Sequence, residues 1–210
     1  MSAFATKYPK PVGKSFAYGT AGFRCPADVL DSTFHRMGML GVLRSRSRCR
    51  LVVGLMVTAS HNPVRDNGIK LVDVDGGMLA QAWEPHATAL ANADGADALE
   101  NALAGIVAAA SAEGEGGVVL VGRDTRPHSE RLAGIAIEGV DSLGGEAVDC
   151  GVLTTPQLHH LVRHRNGAAG TLLSRPPTAA LTVTLTLTLI LTLALALTLT
   201  CTLALNRIRI

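Results

Sequence analysis

The sequence predicts an α/β fold, in which helices cover a mainly parallel or mixed β-sheet, followed by a low-complexity C-terminal tail. Up to about residue 170, short apolar runs of strand length alternate with segments whose apolar residues recur every three or four positions. Beyond Arg175 the chain is mostly leucine alternating with threonine or alanine. Its 210 residues accommodate one domain of ordinary size and an appendage. We therefore predict a domain at residues 1–170 and a tail at residues 171–210 that forms no native domain.

The first part of the chain predicts one helix and two strands. Apolar residues recur on one helix face between residues 33 and 45: Phe34, Met37, Leu40 and Leu43. The apolar run at residues 51–57 is rich in β-branched side chains and predicts a buried strand. Residues 66–68, Asp-Asn-Gly, predict a turn, after which residues 69–74 predict a second strand.

The next part predicts two helices, and then strands and helices in alternation. Residues 80–112 are rich in alanine, with a helix break expected near Pro85 or near Asp94-Gly95. The remaining predicted elements are a strand at 118–121, a helix at 129–143, a strand at 146–152 and a helix at 155–165. In α/β sheets, functional sites gather on loops beyond the carboxyl ends of the strands.

One such loop follows the predicted strand at residues 51–57, where residues 58–63 read Thr-Ala-Ser-His-Asn-Pro. Asn62-Pro63 predicts a turn, because the residue before proline is disfavoured in the helical region. Ser60 is therefore expected at the rim of the sheet, on a loop that a rigid strand holds.

Local chemistry restricts what Ser60 can do. A serine hydroxyl is a weak nucleophile unless a base, a metal or prior modification activates it. The nucleophile elbow of hydrolases has glycines two residues on either side of the serine, and Thr58 and Asn62 occupy those positions here. His61 is adjacent, and neighbours on an extended segment point to opposite faces, which disfavours a Ser–His relay. On these grounds alone, a plain polar turn is the favoured interpretation of the segment.

Two further segments have the character of anion-binding turns. Residues 18–24, Tyr-Gly-Thr-Ala-Gly-Phe-Arg, combine two glycines with a hydroxyl and a guanidinium. Residues 122–127, Gly-Arg-Asp-Thr-Arg-Pro, lie between a predicted strand and a predicted helix, where amide donors favour phosphate. Taken alone, a glycine-bearing turn with one arginine is more often a plain helix connection. Lys70 would by default be a strand residue that points to water. The common nucleotide-binding glycine patterns are absent from the sequence.

Charge and cysteine content favour a reduced, cytoplasmic setting without a nucleic acid or membrane partner. The net charge is only +2. Basic residues cluster at the end of the first predicted helix, which we interpret as a solvated helix end: Arg44, Arg46, Arg48 and Arg50. The four cysteines lie far apart without CxxC spacing, which supports neither a zinc site nor a disulfide framework. The N-terminus lacks an apolar core of signal-peptide length.

Three interpretations of residues 179–205 stay open. Strict alternation describes an amphipathic, aggregation-prone strand, although strands usually run three to ten residues. The segment is long enough to span a bilayer as a helix, but its many threonines lower helix propensity and hydrophobicity. A repeat this regular also fits translation of repetitive DNA after a splice or frame error. We assign no chemistry to it.

Taken together, five segments resemble the α-D-phosphohexomutase superfamily: residues 18–24, 56–63, 66–73, 121–127 and 153–158. The resemblance runs from about Lys7 to Asn166 and covers the first domain of that family only. It implies a three-layer sandwich with a mixed β-sheet between helices. It also implies an isomerase that interconverts N-acetylglucosamine 6-phosphate and 1-phosphate through a phosphoserine and a bisphosphate intermediate. The expected binding partner is thus a phosphorylated hexosamine.

The resemblance implies roles for five residues. Ser60 would carry a phosphoryl group between turnovers, and Mg²⁺ would bind an oxygen of that phosphate. Arg24 and Lys70 would line the phosphoryl group, and Lys70 is the candidate for proton transfer. His61 would contact substrate or orient the serine. Arg123 would brace the loop or the phosphate from behind.

The sequence departs from the family where the other domains are expected. The family's metal loop reads Asp-x-Asp-x-Asp/Arg, whereas Asp73-Val74-Asp75 matches first-domain text and predicts a strand end and turn. The sugar-recognition loop and the terminal phosphate-binding domain are also missing, so we expect a truncated chain that is not fully active alone. The alternative is a non-catalytic domain that competes or assembles with the full-length enzyme. The sequence leaves the oligomeric state open.

Overall fold

A computed structural model describes residues 7–174 of the chain, and their side chains as far as residue 167. The low-complexity tail predicted from residue 171 lies outside the described residues from residue 175 onward. Within the described residues, no helix combines the length and apolarity that crossing a bilayer requires.

Residues 7–174 form one five-stranded sheet and five α-helices. The strands are β1 (Phe23–Pro26), β2 (Val53–Val57), β3 (Asp66–Val72), β4 (Val118–Arg123) and β5 (Glu146–Val152). The helices are α1 (Asp31–Arg46), α2 (Glu84–Asn92), α3 (Gly95–Ala110), α4 (Ser129–Ser142) and α5 (Thr155–Ser174). The strand order is β1-β3-β2-β4-β5. β4 runs parallel to β2 and β5, whereas β3 runs antiparallel to β1 and β2. The mixed sheet of the predicted α/β fold is confirmed.

Alternate residues of β2 serve two separate cores. Leu55 and Val57 belong to the large core, to which α1, α2, α3 and α4 all contribute. Met56 points to the opposite face, where Leu158 and Val162 of α5 pack. The sheet is thus covered by helices on both faces, which gives the three layers, and the strand period of two decides which face each side chain reaches.

The predicted solvated helix end is correct for Arg48 and Arg50, which are exposed, and wrong for Arg44. Arg46 is half-buried, and its guanidinium donates to the carbonyl oxygens of Gly116 and Leu143. Arg44 is buried, and its Nε and Nη2 donate to the two carboxylate oxygens of Asp73 at 2.9 and 2.8 Å. The guanidinium also lies 4.9 Å from the centre of the Trp83 ring. A partner distant in sequence therefore draws this cation into the interior.

The turn predicted at residues 66–68 is wrong, because these residues begin β3. Asn67 is buried, and its Nδ2 donates to Ser129 Oγ at 2.9 Å. A Cβ atom built on Gly68 would lie 2.4 Å from the carbonyl oxygen of Phe23. The glycine therefore permits β1 to approach β3 and does not make a hairpin turn. Of the two predicted breaks in residues 80–112, the one at Asp94-Gly95 is confirmed.

Candidate active site

The carboxyl ends of β2, β4 and β5 meet at one edge of the sheet, where a cavity of about 820 Å³ opens. The loop after each strand contributes to its lining, including Thr58, Ser60, Asp124, Arg126, Thr154 and Thr155. Ser60 is exposed there, at the rim of the sheet. Ligands bind preferentially at this edge of α/β sheets.

Two consecutive turns shape the loop that carries Ser60. Residues 59–62 form the first, and the amide of the last residue donates to the carbonyl of the first at 2.8 Å. Residues 63–66 form the second in the same way, at 3.0 Å. Ser60 and His61 occupy the two central positions of the first turn, and both are exposed. Among the described residues, no hydrogen bond joins the side chains of Ser60 and His61, and the two lie in a turn and not on the extended segment that the argument against a relay assumed.

Arg126 holds both turns. Its guanidinium donates to four backbone carbonyl oxygens of the loop: those of Ala59, Asn62, Pro63 and Asp66. Arg126 belongs to the motif at residues 122–127, but no separate role was predicted for it. The sequence offered no signal that separates it from Arg123, since both are arginines beside the same strand end.

Asp124 links Arg126 to the rest of the site. Its carboxylate accepts hydrogen bonds from Thr58 Oγ1 at 2.8 Å and from Ser129 Oγ, and it forms an ion pair with Arg126 Nε at 3.3 Å. Burial would raise the pKa of Asp124. Hydrogen bonds from Ser129, the Arg126 amide and Thr58 outweigh that effect, so the pKa lies below its ordinary value. Asp124 therefore stays ionised beside the loop.

Lys70 and Arg24 lie on the face of the sheet to which the cavity belongs. Lys70 pairs in register with Met56, and Arg24 pairs with Gly68, two residues before Lys70 on β3. Lys70 is half-buried. Burial, with a smaller contribution from Arg24, lowers the pKa of Lys70. No carboxylate of the described residues pairs with either cation, and two such cations attract an anion.

The segment at residues 18–24 is laid directly onto β3 beside Lys70. Tyr18 Oη accepts a hydrogen bond from the amide of Leu71 at 3.0 Å, and burial raises the pKa of Tyr18 to about 12. Gly22 has a φ of +76°, and a Cβ built there would lie 2.2 Å from the carbonyl oxygen of Ile69. This close approach brings Arg24 next to Lys70.

The N-terminus of α5 borders the same cavity. The amide and Oγ1 of Thr154 both donate to Gln157 Oε1, at 2.7 and 3.0 Å, as in a capping box. Thr154, Thr155 and Pro156 line the cavity at this end. The positive end of a helix dipole favours an anion nearby.

Arg123 lies elsewhere. It has the same strand parity as Val121, so its side chain points to the large core face and pairs with Glu130 and Asp149, at 3.5 Å each. It does not line the cavity at Ser60. Arg126, and not Arg123 as predicted, braces the loop.

The segment Asp73-Val74-Asp75 is a strand end and turn, as predicted. Asp73 follows β3 directly, and its carbonyl accepts a hydrogen bond from the Gly76 amide at 2.8 Å. Its carboxylate is neutralised by Arg44. Within residues 7–174, no group of three or more His, Cys, Asp or Glu side chains is arranged to hold a metal ion.

Comparison with known proteins agrees with this geometry. The sequence pattern of the family described as phosphoglucomutase/phosphomannomutase, alpha/beta/alpha domain I, matches residues 45–96 and 88–175. Phosphoacetylglucosamine mutase of Sus scrofa is 52% identical over 163 residues, which are 77% of this chain and 30% of that protein. The human enzyme of that name is 48% identical over 167 residues, 79% of this chain and 30% of that protein.

A solved structure shares the fold. Aspergillus fumigatus N-acetylphosphoglucosamine mutase in complex with GlcNAc-6P and magnesium superimposes with a TM-score of 0.73 at 44% identity, covering 78% of this chain and 30% of that one. The chain thus spans about 30% of the length of these relatives. Sequence pattern, identity and fold agree, and the chain belongs to the phosphoglucomutase/phosphomannomutase family, with the α/β/α domain I of that family in the part that the structure describes.

Proposed function

We propose that the chain is the phosphoserine-bearing domain of a phosphoacetylglucosamine mutase, an isomerase that interconverts N-acetylglucosamine 6-phosphate and N-acetylglucosamine 1-phosphate. The position of Ser60 carries this proposal. It is exposed at the centre of a braced turn, in a cavity that a helix N-terminus borders. Arg24 and Lys70 lie on the same face of the sheet. Relatives about 50% identical to this chain bear that enzyme name.

In the proposed reaction, phosphorylated Ser60 donates its phosphoryl group to a hydroxyl of the bound sugar phosphate. The bond from phosphorus to the serine oxygen breaks as the bond to the sugar oxygen forms, which yields a bisphosphate. After this intermediate reorients, the Ser60 oxygen bonds to its other phosphoryl group as the bond from that phosphorus to the sugar oxygen breaks. The sugar oxygen takes up a proton, and the isomeric monophosphate leaves with Ser60 phosphorylated again. Such transfers depend chiefly on positioning and on neutralising charge at the phosphoryl oxygens.

Lys70 is the proposed proton carrier. The attacking sugar hydroxyl must lose a proton, and a neutral lysine can accept it. Burial and Arg24 lower the pKa of Lys70, which increases its neutral fraction near physiological pH. Arg24 would offset negative charge on the phosphoryl oxygens. His61, which is exposed beside Ser60, would contact the substrate or orient the serine. Arg123, which pairs with Glu130 and Asp149 on the other face of the sheet, has no role in the proposed transfer.

The described residues do not form a magnesium site of their own. They contain no cluster of three candidate ligands, and Asp124 is engaged by Thr58, Ser129 and Arg126. We therefore derive no step through the metal. An oxygen of phosphorylated Ser60 is the contact we propose for it in this domain, in keeping with the preference of Mg²⁺ for phosphate oxygens.

The test is whether Ser60 accepts a phosphoryl group. Purified chain is incubated with and without glucose 1,6-bisphosphate and magnesium, and intact mass and peptide mapping locate any phosphate. We expect one phosphoryl group on Ser60, and none in Ser60→Ala. A folded chain that gains no phosphate under either condition would favour the alternative, a non-catalytic domain that competes or assembles with the full-length enzyme.

A further inference from the structure

We infer that Arg126 is a positioning residue, which orders the Ser60 loop for phosphoryl transfer without binding phosphate itself. This inference rests on the proposed function. Arg126 lines the cavity, and an arginine beside a reactive serine would ordinarily be taken as a phosphate ligand. Its hydrogen bonds lead to a different role.

Each terminal nitrogen of the guanidinium serves one turn of the loop. Nη2 donates to the carbonyl oxygens at both ends of the first turn, those of Ala59 and Asn62. Nη1 donates to the carbonyl oxygens at both ends of the second turn, those of Pro63 and Asp66, at 2.7 and 3.0 Å. A single side chain thereby closes both turns from outside and fixes how they meet. Ser60 sits between two of these four contacts.

The remaining nitrogen of the guanidinium, Nε, also contacts the protein. A guanidinium has five N–H groups, and the fifth, on Nε, faces Asp124 at 3.3 Å. Asp124 is itself held by Thr58 and Ser129. The Arg126 side chain is only 12% exposed. All three nitrogens of the Arg126 guanidinium therefore contact the protein, four N–H groups by hydrogen bonds and Nε by an ion pair, and a phosphoryl group would have to displace one of these contacts to bind it.

The arrangement also changes the charge that the loop presents. A phosphoryl group on Ser60 is anionic, and nearby carbonyl oxygens carry the negative ends of peptide dipoles. Arg126 gathers four of these oxygens around one cation. They are thereby engaged by positive charge and cannot turn towards the phosphate.

His128 makes a parallel contact from the same connection. Its Nδ1 lies 2.9 Å from Asn67 Nδ2, a donor, so Nδ1 is the acceptor and Nε2 carries the proton. Nε2 then donates to the carbonyl oxygen of Val64 at 3.0 Å, within the second turn. Arg126 and His128, both from the β4–α4 connection, thus bind carbonyl groups of the Ser60 loop.

Lysine cannot reproduce this geometry, because its ammonium is a compact point charge without a planar fork. The variants to compare are therefore Arg126→Lys and Arg126→Ala in the full chain. Arg131→Ala is the matched control, since Arg131 lies on α4 in a half-exposed ion pair with Asp31. Thermal unfolding verifies that each variant folds, and if Arg126→Ala does not fold, Arg126→Lys decides.

The first readout is the kinetics of Ser60 phosphorylation by glucose 1,6-bisphosphate with magnesium. We expect the maximal rate of Arg126→Lys to fall by about 100-fold, the effect of a misplaced reacting group, with the half-saturating concentration unchanged. The Arg131→Ala control should match wild type. A raised half-saturating concentration at an unchanged maximal rate would instead make Arg126 a phosphate ligand and overturn the inference.

The second readout needs no activity. Amide hydrogen exchange at residues 62 and 66, whose N–H groups close the two turns, should accelerate in both Arg126 variants and not in Arg131→Ala. Unchanged exchange in a folded Arg126 variant would refute the positioning role. If wild type accepts no phosphate, the proposed function fails, and hydrogen exchange still decides what Arg126 does to the loop.

Discussion

Replacing Asp73 with asparagine removes the charge from a buried ion pair and leaves Arg44 without its counter-ion. The two side chains are only 6% and 10% exposed, and two N–H···O contacts of 2.9 and 2.8 Å join them. The same carboxylate accepts hydrogen bonds from the amides of Val74 and Ala80, at 2.8 and 3.0 Å. In asparagine, an amide nitrogen replaces one of the two carboxylate oxygens, and it cannot accept the hydrogen bonds that this oxygen accepts. Removing one partner of a buried pair costs about 3–5 kcal/mol.

The expected loss of stability can be measured by thermal and urea unfolding. In a protein of this size, a destabilisation of about 3–5 kcal/mol lowers the unfolding midpoint by roughly 6–20 °C. Urea unfolding can be followed by the fluorescence of Trp83, the single tryptophan, which lies beside Arg44. Asp31→Asn is the control, because its partner Arg131 is half-exposed and such pairs contribute about 0–1 kcal/mol. Equal losses in the two variants would refute the assignment of a buried, stabilising pair.

Three further predictions concern the site. Gly22→Ala should lower the free energy of unfolding by at least about 1 kcal/mol, because its Cβ would meet the Ile69 carbonyl at 2.2 Å and its φ is positive. An unchanged urea midpoint would contradict the close strand approach. The folded-state pKa of Asp124 is lowered, so the unfolded chain binds more protons in acid and stability falls as the pH drops from about 5. Asp124→Asn should show a shallower fall between pH 5 and 3, and parallel curves would count against this. Arg24→Gln should raise the pKa of Lys70 part of the way to its ordinary value, since burial is the larger cause of the shift; a ¹³C NMR titration of the Lys70 Cε resonance that shows no rise would remove Arg24 as a neighbour.

The fold was predictable because its signals are local. The runs that became β2, β4 and β5 have strand length and composition, and the break between α2 and α3 falls at Asp94-Gly95 as predicted. The turn at residues 66–68 was mispredicted because an Asn-Gly pair occurs in two structural settings. It can form a hairpin turn, or it can lie within a strand where the glycine, which has no Cβ, allows another backbone to approach closely. Here the backbone that approaches Gly68 is that of Phe23, more than 40 positions earlier in the sequence.

Burial of polar side chains was less predictable, because partners distant in sequence decide it. The helical spacing of Phe34, Met37, Leu40 and Leu43 indicated one apolar face, yet residues 32–45 of α1 are all buried. The helix packs against β2 and β4, against α4 and against α2, so its polar side is also covered. Arg44 is tolerated there because Asp73 reaches it from the end of β3, a pairing that no spacing rule connects.

The same limit explains why Arg123 was expected to act where Arg126 does. Arg123 is the last residue of β4, and strand alternation commits its side chain to the face of Val121, away from the cavity. Arg126 lies beyond the strand and is free of that alternation, so its side chain can fold back across the sheet edge to the loop after β2. It reaches that loop because β2 and β4 are parallel neighbours, whose carboxyl ends lie side by side. The motif at residues 122–127 thus placed two arginines near the Ser60 loop. The order of the strands and the alternation of side chains along β4 determine that Arg126, and not Arg123, contacts it.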